Sequence, residues 1–273
     1  MSTGHTQRKR RDAVVSKAKQ PDHMYGYCRV IGCGKPARAG TSDGLDMKYC
    51  RAHAEHLQRH GSLHKRSYTA KELNPYRQAA LAWLLDNEHE FWVKSTIQRM
   101  LSLYQQAGPH VEAFRLRGLR PKERAMAALA RLRKHAIDPR LVIAAWLAVE
   151  MIIRDDPQAD RKPEFKRVQV AKVVHRMASG SHKRWEREIQ DQGRPGGFPR
   201  VVVEEMHVYP RSRGRVLRHL GEALESVLEL LTHHHLDAIH AFKLERDTKG
   251  NYDDRPYPKG WSARSRKASA DSA

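Results

Sequence analysis

The chain is short of cysteine, of acidic residues and of long apolar runs, and each shortage excludes something. Three cysteines in 273 residues is an odd number, so a complete disulfide framework is ruled out. In a reducing cytosol these thiols would stay reduced, which favours metal ligation over cross-linking. The longest apolar stretch, Leu141 to Val149, stops at Glu150. That is far short of the ~20 residues a membrane span requires. The first twenty residues, MSTGHTQRKRRDAVVSKAKQ, lack the apolar middle of a secretory signal and read as a solvated basic arm. A soluble, cytoplasmic protein is expected, nucleoid-associated if DNA is its partner, with no membrane role. Also missing are a glycine-rich phosphate loop, a nucleophile elbow and a metalloprotease helix. No internal repeat stands out.

The scarcity of acid leaves a large positive charge. Against 51 Lys and Arg there are 31 Asp and Glu, a formal net charge of +20. A field of that size draws in polyanions and raises their encounter rate. Nucleic acid is the partner such charge most often serves, because each neutralised phosphate releases a counterion.

All three thiols fall within one stretch, CRVIGCGKPARAGTSDGLDMKYCRAH, which closes on a histidine. The spacing is Cys28-x4-Cys33-x16-Cys50-x2-His53. Two short-spaced pairs separated by a loop suit a closed tetrahedral zinc site, with no position left for a catalytic water. Gly32 allows a tight turn before the second thiolate, and the three-residue step puts Cys50 and His53 on one helical face. His56 and His60 lie further along that face and are alternative fourth ligands, although His53 has the better spacing.

This stretch resembles the small zinc-binding segments of phage-type HNH endonucleases and related DNA-binding proteins. The resemblance rests on Cys28, on Gly32-Cys33, on the basic Lys35-Pro36 loop, on Cys50-Arg51-Ala52-His53 opening a basic helix, and on Arg59-His60-Gly61 closing it. It covers about 35 residues, and AGTSDGLDM is longer than the usual loop between the pairs. It implies a zinc-stabilised DNA-contacting unit with Cys28, Cys33, Cys50 and His53 as ligands. No paired-histidine ββα-metal pattern follows, so the resemblance supports binding more than cleavage. What it suggests is a DNA-binding regulator or a non-catalytic, DNA-engaging subunit of a phage or mobile-element machine, with protein partners in a larger assembly.

The rest reads as mainly α: a small N-terminal zinc-binding module, then a multi-helix domain, with basic flexible tails. The expected divisions are a disordered arm over 1–22, the zinc module over 23–68 and a helical domain with a basic hairpin over 69–190. A loop with a possible short strand follows over 191–210, then a C-terminal helical segment over 211–246 and a disordered basic tail over 247–273. Thr69 and Glu72 are spaced for a capping box. Asn74-Pro75 suggests a restart, with Pro75 in a first turn. YRQAALAWLLDNEHEFWVKSTIQRMLSLYQQAG is one long helix or two abutting ones, ended by Gly108-Pro109. Asp138-Pro139 should cap a helix that is apolar nearly all round and therefore belongs at the centre of a core.

From Arg161 to Arg187 there are nine basic and two acidic residues. The pattern predicts a helix over about 163–178, a Ser-Gly-Ser break and a second helix from about His182, forming a basic helical hairpin. Trp185 sits among its cations, placed to stack on a base or to pack. QDQGRPGGFPR reads as a loop and Val201–Val203 as a strand. In the last helical block, Arg211, Arg213, Arg215 and Arg218 crowd the end of the helix dipole that disfavours cations, which points to an anion nearby. His233, His234 and His235 diverge around a helix and cannot readily share one ion.

The expected nucleic-acid contacts are Arg51, Arg59, His60, Lys65 and Arg66 on the module, then Lys166, Arg167, Lys172, Arg176, Lys183, Arg184 and Arg187 on the hairpin. Arg211, Arg213 and Arg215 complete the set. DNA is favoured over RNA. The carboxylates Asp155, Asp156 and Asp160, near Glu164, are the one cluster that could bind magnesium for phosphodiester cleavage. A divergent metal-dependent nuclease and an RNA-binding or ribonucleoprotein subunit are therefore the alternative functions, and a protein-binding scaffold stapled by zinc is a third.

Overall fold

The computed structural model describes residues 8–9, 11–16, 26–37, 39–41, 44–178, 180–189, 200–210 and 214–250. Within the N-terminal arm, residues 11–16 are helical. The C-terminal tail from 251, the whole of the 190–199 loop, Arg211 and Arg213 lie outside the described residues.

The fold is mainly α-helical behind a small Cys/His region, as the patterning predicts. In that region β1 (Ala39–Thr41) pairs antiparallel with β2 (Gly44–Asp46), and α1 runs Arg51–His60. The body follows with α2 (Ala70–Asp86), α3 (Phe91–Gln106), a 3-10 turn (Ala113–Gly118), α4 (Pro121–Lys134), α5 (Pro139–Asp155) and α6 (Pro163–His175). A β-hairpin comes next, β3 (Ser181–Ile189) with β4 (Arg200–Val208), then the long α7 (Arg215–Thr248).

Local chemistry sets most of these boundaries. Thr69 caps α2: its hydroxyl accepts from the Glu72 amide at 3.3 Å while Glu72 accepts from the Thr69 amide at 2.6 Å. The helix does not restart at Pro75 but carries it in its interior, leaving Lys71 without one amide donor on an exposed turn. The long apolar segment divides at Asn87–Glu90, where Asn87 returns its side-chain amide to the Trp83 carbonyl at 2.8 Å and Glu90 caps α3 through the Val93 amide at 3.0 Å. Asp138 caps α5 by accepting from the Arg140 amide at 2.8 Å, with Pro139 in the first turn.

The α5 helix is the axis of the core. Leu141, Val142, Ile143, Trp146, Leu147, Val149 and Met151 are all buried on it, so both of its sides meet protein. It packs against α2 and α6, while α7 runs alongside α3, α4 and α6. Trp146 is fully buried and still satisfies its indole N–H, which donates to the Thr232 hydroxyl on α7 at 2.7 Å. Gly221 lets α7 approach α6 closely, since a Cβ there would lie 2.6 Å from the Arg167 backbone oxygen.

The predicted basic helical hairpin is replaced by one helix and one β-hairpin. The α6 helix ends at His175, and the segment from Ser181 pairs in register with Arg200–Val208, placing Ser181 opposite Val208 and Ile189 opposite Arg200. The ribbon is anchored at its root: the Ser181 hydroxyl bonds the Glu112 carboxylate and accepts from the Ala113 amide at 2.8 Å. That hydroxyl, with Lys134 after it, holds Glu112 well below the ordinary carboxylate range, at about 2.

Candidate metal centre and cationic surface

The first ligand pair sits in a backbone knuckle. The Cys28 amide donates to the Lys35 carbonyl at 2.8 Å and the Cys33 amide to the Val30 carbonyl at 3.0 Å. Gly32 makes the turn possible with φ of +79°. The flanks are tied by Ala37 N–H to Gly26 O at 2.9 Å. The second pair is presented by α1. Asp46 turns the chain toward it by accepting from the amides of Lys48 and Tyr49. Cys50 is the N-cap residue, and His53 lies one turn in. A bond from Arg29 N–H to Lys48 O, 3.0 Å, joins the halves.

The four donor atoms of Cys28, Cys33, Cys50 and His53 all lie within 4.8 Å of one another. Individual separations are 3.3 Å for Cys28 Sγ to His53 Nδ1, 3.4 Å for Cys50 Sγ to His53 Nδ1, and 3.9 Å for Cys33 Sγ to Cys50 Sγ. Tetrahedral zinc with its usual bond lengths sets neighbouring ligands roughly 3.5–3.8 Å apart. The set therefore fits zinc in donor type, number and spacing, with Nδ1 as the imidazole ligand. Cys28 and Cys50 are buried with Val30 in a small cluster of their own, backed by Tyr49 and Leu63. Desolvation opposes ionisation of Cys28. Hydrogen bonds from the Cys50 and Val30 backbone, and from His53 and Cys33, outweigh it and bring the thiol down to about 6.

The alternative fourth ligands have other work. The His56 ring bonds the Ser62 carbonyl at 2.8 Å through Nδ1. His60 Nδ1 accepts from the Ser67 amide at 2.9 Å and meets the Ser67 hydroxyl at 2.8 Å. Burial, with Lys172 next, pushes the His60 imidazole down to about 4, so it stays neutral. Its place is inside the joint between module and body.

The predicted phosphate contacts divide by environment. On the module, Arg51 and Arg59 are exposed, each reaching Glu55. Arg66 is exposed, and Lys65 is ion-paired to Asp156 at 2.5 Å. On α6, Lys166 pairs with Glu150 at 2.8 Å and lies over the Trp146 ring, while Arg167 pairs with Glu225 at 2.5 Å. Both are turned into the body as clamps between helices. Lys172 faces Ser67, and Arg176 is exposed. On the ribbon, Arg184 and Arg187 are exposed and lie across from Glu205 and Glu204, at 3.8 and 3.6 Å. The Lys183 side chain, Arg211 and Arg213 are outside the described residues, and Arg215 is exposed. Arg218, one turn into α7, has its anion within the protein: the Glu164 carboxylate, with the Leu57 carbonyl at 3.3 Å.

The carboxylate cluster is spent on structure. Asp155 accepts from the Tyr76 hydroxyl at 2.8 Å and lies 2.6 Å from His240, while Asp156 takes the Tyr68 hydroxyl at 2.9 Å as well as Lys65. Asp160 accepts from the Lys162 amide at 3.1 Å. The histidine run packs rather than ligates, with His234 stacked on Trp92 at 4.2 Å and His235 against Trp83.

Sequence reasoning missed one surface. Arg29, Lys35 and Lys48 flank the ligand cysteines and are exposed, with no ion-pair partner among the described residues. On the same segments Tyr27, Ile31 and Met47 are also exposed, at 73, 101 and 57%. Their nearness in sequence to Cys28, Cys33 and Cys50 was the available signal.

The fold and site define a mainly helical protein with a Cys3His cluster that could hold a metal ion. No protein family, curated protein or solved structure matches the chain. Among the described residues no helix is long and apolar enough to cross a membrane.

Proposed function

We propose that the chain binds one structural zinc ion through Cys28, Cys33, Cys50 and His53 and uses the module so stiffened to bind nucleic acid, DNA in preference to RNA. The observation that carries this reading is the set of exposed side chains on the ligand-bearing segments. Arg29, Lys35 and Lys48 stand on the same short segments as the ligands, exposed and without an ion-pair partner among the described residues, and the exposed Tyr27, Ile31 and Met47 stand on those segments too. The ion would fix those segments relative to one another and so fix the cations in one pattern. Cations suit phosphates, and apolar and aromatic tips suit base or sugar faces. The +20 charge of the chain adds long-range attraction. A DNA-binding regulator, or a DNA-engaging subunit of a larger assembly, is the role this supports.

The test is fluorescence anisotropy with labelled duplex DNA and structured RNA, at several salt concentrations, on the zinc-loaded full chain. The reading expects salt-dependent binding, tighter for the duplex. The triple variant Arg29→Glu, Lys35→Glu, Lys48→Glu should lower the slope of log affinity against log salt by about 0.9 for each phosphate it no longer neutralises. No retention of either polymer at low salt would refute it. Metal-dependent nicking of plasmid in the same preparations would favour the nuclease alternative instead.

A further inference from the structure

Between the connection that follows α1 and the face of α6 lies a recess of about 370 Å³. His60, Ser67, Tyr68, Leu73, Lys172 and Arg176 are among the residues that line it. The charge of this lining is one-sided, since no Asp or Glu is among the described residues that form it. Lys172 is half-buried there, and its ammonium donates to the Ser67 hydroxyl at 2.5 Å and approaches His60 Nδ1 at 3.4 Å. Both partners are neutral. The charged groups acting on it are Arg176 and Arg59, both cations, and burial together with them brings the amine down to about 8.

Two other inward-turned lysines each have a carboxylate: Lys65 has Asp156, and Lys166 has Glu150. Lys172 does not. A desolvated ammonium without a counter-charge is costly to maintain unless an anion arrives to match it. A second such case meets α6 from α4, through His175. Arg131 is 1% exposed, donates one N–H to His175 at 3.2 Å, and has Nε and Nη1 without a hydrogen-bond partner among the described residues.

We propose that this recess binds a phosphate monoester, its oxygens held by the Lys172 ammonium and the Arg176 guanidinium and its ester group lying toward Tyr68 and Leu73. Lys172 and Arg176 match the two charges of a monoester at neutral pH, and Arg77 is a third cation on the lining. Arg supplies a planar fork and Lys a point charge, the usual pairing on phosphate oxygens. A recess of about 370 Å³ has room for a terminal phosphate and does not require a strand to run through it. The site goes beyond the nucleic-acid reading, because a small phosphorylated molecule and the 5′ end of a strand present the same group.

The experiment uses the zinc-loaded full chain and three probes: inorganic phosphate by calorimetry, and a short single-stranded oligonucleotide with a 5′-phosphate compared with its 5′-hydroxyl twin by anisotropy. Saturable phosphate binding is expected, weakened roughly tenfold or more by Lys172→Met or Arg176→Met, since each removes a charge-assisted hydrogen bond. Preference for the 5′-phosphate twin, abolished in both variants, assigns the site to strand ends. Phosphate binding with equal affinity for the twins assigns it to a small phosphorylated molecule. Should Lys172→Met fail to fold, Arg176→Met, at an exposed position, decides. No saturable phosphate binding together with equal affinity for the twins overturns the proposal. The 5′-hydroxyl twin and duplex DNA report separately on the nucleic-acid reading, so the two can fail independently.

Discussion

The side-chain amide of Gln169, on α6, donates to the backbone carbonyl of His60 at 2.8 Å. His60 is the last residue of α1, so one buried side chain satisfies a helix-end carbonyl and joins the module to the body. Replacing it by leucine leaves that carbonyl in the joint without its donor. Gln169→Leu is expected to cost about 1–3 kcal/mol in urea unfolding, the penalty for an unsatisfied buried polar group. Metal content should be unchanged, because no ligand is touched.

The next residue makes the same joint sterically demanding. Gly61 has φ of +73°, and a Cβ there would sit 2.8 Å from the Glu164 carbonyl oxygen and 2.9 Å from Val168 Cβ. Gly61→Ala therefore meets left-handed strain of about 1–2 kcal/mol and a collision with α6 backbone. Hydrogen exchange should rise in α1 and at the facing turn of α6, with the α5 core unaffected.

Two histidines make stability depend on pH. Burial pushes His175 down to about 4, assisted by Arg131, Arg124 and Arg176, and His60 is likewise down at about 4 beside Lys172, His56, Arg59 and Arg66. Both are neutral when folded, whereas the unfolded chain takes up protons from about pH 6.5 downward. Their contribution is complete above that value and is lost as pH falls toward 4. For the mostly buried His175 the loss over that window is about 3 kcal/mol, with a smaller share from the more solvated His60. Urea midpoints from pH 7 to pH 5 at saturating zinc should fall, and His175→Gln should flatten the decline.

The ribbon should contribute less to polyanion binding than its sequence suggests. Arg184 and Arg187 are opposed by Glu205 and Glu204, and Glu186 lies between them on the same strand. Arg184→Glu with Arg187→Glu is expected to change duplex affinity less than Arg29→Glu with Lys48→Glu. Anisotropy at a single low salt concentration ranks the two pairs.

Legibility followed the range of the physics. The Cys28, Cys33, Cys50 and His53 set was readable because ligand chemistry depends on residue type and short spacing. So was the central position of α5, whose all-round apolarity admits only burial, and the Thr69–Glu72 cap, which is local. The ribbon was not. The apolar residues of SHKRWEREI, Trp185 and Ile189, stand at a helical spacing, and the strand is specified by partners on Arg200–Val208, beyond an intervening loop. Lys166 and Arg167 likewise look like a solvated face until α7 supplies Glu225. Lone cations became distinguishable from clamps only once their neighbours across the fold were known. The recess at Lys172 has no sequence signature at all, because His60, Ser67 and Lys172 meet across about a hundred residues of chain.

The central claim is that Cys28, Cys33, Cys50 and His53 hold one ion that organises the front of the molecule. Elemental analysis of the purified full chain, beside Cys50→Ser, tests it most directly. One zinc per native chain is expected, lost in the variant, with the helical body still folded. A native chain that is folded, free of metal and carries three freely reactive thiols would contradict it.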